Sequence, residues 1–85
     1  MISKETAKLI YFTHVKIELI EASIDMLSGK AENGQLYSVE ICILGVDGYG
    51  MEISNATAIE ALCIERAAAY AEIDAANNKA KEEAE

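Results

Sequence analysis

Tryptophan is absent from this chain, phenylalanine, histidine and arginine occur once each, and cysteine twice. Each scarcity closes off a class of protein. With so little aromatic bulk, the apolar 52% of the sequence is mostly Ala, Ile and Leu, which suits close helix packing better than a thick core. A catalytic zinc normally takes three protein ligands, and the chain offers no second histidine and no suitably spaced cysteine pair. Cys42 and Cys63 fit no metal spacing and are too few for a disulfide framework, so both are read as free thiols. Met1-Ile2-Ser3-Lys4-Glu5 leads straight into a helical pattern with charges every few residues, so neither a signal peptide nor a membrane span is expected, and the chain is assigned to the cytoplasm. Bases are scarce as well. Fifteen acids against seven bases give a net charge of −8, a field that repels phosphate backbones and anionic membranes. Direct nucleic-acid or membrane binding is not expected. An acidic surface suits solubility, or a partner whose own surface is basic, including the binding groove of a nucleic-acid enzyme.

What is present is a strong helical periodicity. In the first half, one stripe runs Ile10, Thr13, Ile17, Ile20, Ile24, Leu27 and a second runs Phe12, Val15, Leu19, Ala22, Met26. In the second half the stripes are Ile59, Leu62, Arg66, Ala69, Ile73, Ala76, Ala80 and Ala61, Ile64, Ala68, Ala71, Ala75. Steps of three and four stack side chains on one side of an α-helix, so each helix carries two faces able to dock on neighbours. Ser3 is a suitable N-cap, Glu5 favours the first turn and Gly29 ends the pattern, predicting a helix over about 4–28. A polar connector with an Asn33-Gly34 turn follows. Over 36–53 the period changes to alternation, Tyr37, Val39, Ile41 and Ile43, then Tyr49, Met51 and Ile53, which predicts a β-hairpin. A three-residue loop, Val46-Asp47-Gly48, pairs Ile43 with Met51 and Ile41 with Ile53 and puts the odd-numbered apolar residues on one face. Ser54 or Asn55 caps a second, alanine-rich helix to about 78, and the charged stretch 79–85 is expected to fray.

The expected fold is α+β, a single domain of order helix, strand, strand, helix, in which two long helices pack with a hairpin. A chain of 85 residues buries only about 60 to 65% of the surface its unfolded form exposes, so self-association should supply the rest. The Ile-rich stripe and the Ile59 to Ala80 stripe read as intramolecular. The all-small seam Ala61, Ala68, Ala71, Ala75 with Ile64 reads as the interface of a homo-oligomer, since small residues let backbones approach closely.

Chemistry is thinly represented. His14, Glu18, Glu21 and Asp25 make one polar stripe, but His14 and Glu18 alone are two ligands and not a metal site. Arg66 interrupts an apolar stripe one turn before Tyr70, a guanidinium and a phenol suited to clamping an anion or carboxylate, with Lys16 or Lys8 as further cations. The structural alternative pairs Arg66 with a glutamate of the first helix or of a neighbouring chain to fix register, or lets its stem snorkel to the rim. Gly45-Val46-Asp47-Gly48-Tyr49-Gly50 matches no phosphate-binding loop and reads as a turn, on which Tyr49 is a candidate contact residue. Neither cysteine has a histidine placed to activate it, so no catalysis and no cofactor or metal are expected. In size, charge and plainness the chain resembles the short accessory proteins of bacteriophages and mobile elements. The missing catalytic set, the acidic surface and the surplus apolar seams predict a non-enzymatic, acidic, homo-oligomeric binding protein, and the likeness implies that what it inhibits or modulates is a host macromolecule. The alternative is a small-ligand binder or sponge holding an anionic metabolite or nucleotide at subunit interfaces through Arg66, Tyr70 and Lys16.

Overall fold

A computed structural model describes residues 1–30, 33–48 and 50–85. The order is α1 (Lys4–Leu27), β1 (Val39–Cys42), β2 (Gly50–Ile53) and α2 (Asn55–Ala84), the helix-strand-strand-helix arrangement expected. Both helices start in the same way. Ser3 and Ser54 sit in extended backbone and accept from the backbone N–H of Thr6 and Thr57, each at 3.1 Å, which satisfies an otherwise orphaned donor of the first turn. The end of α1 is closed by a Schellman motif: Gly29 takes φ +79°, its N–H donates to Met26 O, and the Lys30 N–H reaches back to Asp25 O at 2.9 Å.

The two helices pack antiparallel along the seam read from the sequence. Ile17, Ile20, Ala69, Ile73, Ala76 and Ala80 are buried, Ile10 packs against Ile17, Ala69 and Ile73, and Ala69 is wholly enclosed. Thr13 is buried on the same stripe without cost, because its hydroxyl donates to Leu9 O at 2.6 Å within its own helix. The small residues of α2 face the larger ones of α1, which brings the axes close where the alanines lie.

Two expectations are corrected. The stretch 79–85 is helical through Ala84, because it has something to pack: Ala80 is buried against α1, and Glu83 accepts hydrogen bonds from the Ser3 N–H (3.1 Å) and the Thr6 hydroxyl (2.9 Å). The hairpin register also differs, pairing Ile41 with Met51 and Val39 with Ile53, two residues away from the predicted pairing. The cause is a wider connection. Val46 N–H donates to Ile43 O in a turn with Gly45 at φ +87°, and Gly48 also adopts a positive φ, so β1 ends before the three-residue loop could form. A slip of two preserves the alternation, and Val39, Ile41, Met51 and Ile53 still share a face.

Asn55 ties the layers together. Its side-chain amide donates to Tyr37 O at 2.9 Å and to Leu27 O at 3.4 Å, joining the start of α2 to the end of α1 and the entry to β1. No described helix is long and apolar enough to cross a membrane.

Candidate binding faces

Two inter-helix contacts define the flanks of the helix pair. Lys16 Nζ lies 3.7 Å from Glu65 Oε2, and the Tyr70 hydroxyl donates to Glu21 Oε1 at 3.0 Å. Lys16 and Glu21 are five residues apart, as are Glu65 and Tyr70, so each pair of positions is separated by about 140° around its helix. The contacts therefore lie on opposite sides of the seam. Counting on from Glu21 places His14, Glu18 and Asp25 on its side of α1, and Arg66 and Cys63 join Tyr70 on the same side of α2. This is the acidic flank. The alanine seam of α2 turns away from the core toward the flank of Lys16 and Glu65, and the second stripe of α1 points directly away from the core, between the two flanks.

Of the residues singled out from the sequence, Arg66 and Tyr70 are brought together and Lys16 is not, since it sits across the seam with its own carboxylate. Tyr49 lies outside the described residues. Arg66 is half-buried, and its guanidinium donates to the Cys63 sulfur at 3.8 Å; among the described residues no carboxylate is within ion-pair distance of it. The Glu21 carboxylate raises the pKa of Tyr70, first by accepting its proton in a hydrogen bond and then by its charge, an effect Arg66 partly offsets. The phenol is thus already turned toward an acid, and an incoming anion would meet Glu21 beside it. Among the described residues no group of three or more His, Cys, Asp or Glu side chains is placed to hold a metal ion.

The apolar surface is extensive. Phe12 is 62% exposed, Leu19 64% and Ile64 66%, and Ala61, Ala68, Ala71 and Ala75 are exposed along α2. The hairpin leaves its odd-numbered face largely open, with Ile41 and Met51 exposed and only Val39 and Ile53 half-buried. Between this face and the helix ends runs an open groove of about 490 Å³, lined by Ser23, Met26, Leu27, Val39, Ile41 and Ile53 among others. The opposite face of the hairpin sets Glu40 directly across from Glu52, with the Cys42 thiol 3.7 Å from Glu40 Oε1. Like charges in that position weaken strand pairing. Two positions escaped the sequence reading: Asn55, taken only as a capping residue, and Glu83, taken as tail. Their partners are 18 or more residues distant, so no local pattern marks them.

No protein-family model, no curated protein and no solved structure matches this chain.

Proposed function

We propose that the chain is a non-enzymatic, acidic, homo-oligomeric binding protein that docks on a basic surface of a larger macromolecule and thereby inhibits or modulates it, in the manner of the short accessory proteins of bacteriophages. In the reducing cytoplasm its two cysteines stay thiols. The supporting observation is that Glu18, Glu21 and Asp25 gather on one flank of the helix pair, while the exposed alanine seam of α2 turns to the other. One flank is then free to meet a basic partner while the other assembles copies, with the alanine seam, Ala61, Ile64, Ala68, Ala71 and Ala75, as a close-approach surface between helices. Complementary charge steers such encounters and fixes partner choice.

A second reading is favoured by Arg66 alone. A half-buried guanidinium with no carboxylate partner among the described residues is a ready anion site, and an anionic metabolite or nucleotide held there by Arg66 and Tyr70 would make the oligomer a sponge. Glu21 at the phenol weighs against it.

The two readings separate in one experiment. A partner is captured from host extract with the wild-type protein, identified, and titrated against wild type, a Glu18→Gln/Glu21→Gln/Asp25→Asn variant and Arg66→Ala. The acidic reading predicts that neutralising the three acids lowers affinity at least tenfold and flattens the salt dependence. If the triple variant binds unchanged while Arg66→Ala abolishes a nucleotide-induced rise in melting temperature, the sponge reading takes its place.

A further inference from the structure

The aromatic side chains are in an unexpected place. The single phenylalanine, Phe12, is not in the core but stands exposed beside the equally exposed Tyr11, the two rings in edge contact at 5.4 Å between centroids. An alanine-lined seam has no room for them, yet a bare aromatic pair on a helix of an acidic domain is the composition of an interface anchor. The pair begins the row Phe12, Val15, Leu19, Ala22, Met26, an unbroken heptad pattern with Leu19 at its centre.

The exposed area is large enough for a second copy to cover it. The chain exposes 6490 Å², whereas a monomeric protein of its mass, 9.2 kDa, exposes about 4900 Å², an excess of about 1600 Å². Its radius of gyration, 16.7 Å, also exceeds the about 12 Å of a compact domain of this length. A standard interface buries about 800 Å² from each partner, so the excess is enough for a full self-contact and more.

We propose that two copies pair antiparallel along α1 across a two-fold axis at Leu19, and that Tyr11 and Phe12 of each copy fill the apolar groove between the hairpin and the helix ends of the other. A two-fold axis at residue 19 sets Phe12 opposite Met26, Tyr11 opposite Leu27 and Val15 opposite Ser23. Met26, Leu27 and Ser23 are the residues that α1 contributes to the groove. Aromatic rings against a methionine thioether are favourable, and each hairpin, which packs too little on its own helices to hold its apolar face dry, gains a cover. The alanine seam is left for a second contact. This inference rests on the homo-oligomeric part of the proposed function and specifies which surface carries it.

Its test is cysteine cross-linking in a Cys42→Ser/Cys63→Ala background. Leu19→Cys should give a disulfide-linked dimer under mild oxidation, because the two-fold axis juxtaposes the two thiols, and Ala68→Cys in the same background reads the alanine seam separately. Phe12→Ala should weaken the dimer at least roughly 30-fold, the effect of truncating an interface anchor, with helical circular dichroism unchanged. Cross-linking through residue 68 and not 19 overturns the α1 dimer while leaving a homo-oligomer standing. A protein that sediments as a monomer throughout the micromolar range overturns both.

Discussion

Ala69 and Ile73 decide how the helices meet. The alanine, with no exposed surface, sets the approach distance, and the isoleucine fills the space that approach creates between Ile10 and Ile17. Both were legible in the sequence because burial along a helix repeats every three or four residues, and Thr13 and Arg66 were correctly placed on the stripes despite their polarity. Ile73→Ala should lower unfolding free energy by about 2–5 kcal/mol in urea titrations, the range for an enclosed isoleucine with a cavity left behind. A loss below about 0.5 kcal/mol, ordinary for a surface substitution, would show that this seam is not the core. Arg66 has no glutamate of α1 within ion-pair distance among the described residues, and its neighbour Tyr70 engages Glu21.

The elements differ in how far sequence alone could define them. Both helix starts were visible as serine caps and the end of α1 as Gly29, because capping is local chemistry. The end of α2 was not, since Glu83 is held from 77 and 80 residues away by Thr6 and Ser3. The face of the hairpin was legible and its register was not, because alternation has period two and cannot distinguish slips of two. The clasp at Glu83 makes a pH-dependent prediction. Hydrogen bonds, first from the Ser3 backbone and then from the Thr6 hydroxyl, hold its carboxyl below the ordinary glutamate value of 4.5. A carboxyl whose pKa is depressed by folding contributes stability that is present above the unfolded value and is lost as pH falls through the folded one. Glu83→Gln should therefore be less stable than wild type at neutral pH, and the gap between their urea midpoints should close on acidification below 4.5. A gap that stays constant with pH would remove the clasp from the stability of α2.

At the scale of the whole molecule, the helix pair gathers acids on one flank and leaves long apolar rows open to solvent. The long dimension of 49 Å is set by α2, whose 30 residues extend about 45 Å as a helix, and among the described residues no third layer lies against the exposed row of α1. The sequence showed the surplus as doubled stripes; the structure shows which stripe is used internally and leaves Phe12, Leu19, Ile64 and the hairpin face open. Function is less legible than fold for a physical reason: binding by charge and shape leaves no spacing signature comparable to a metal site or a catalytic set.

Sedimentation velocity on the wild-type protein across the micromolar range tests the central claim most directly. A mass of at least two chains, with each chain contributing 9.2 kDa, is the predicted result, falling toward one chain on dilution or with Phe12→Ala. A single 9.2 kDa species at every concentration would contradict it.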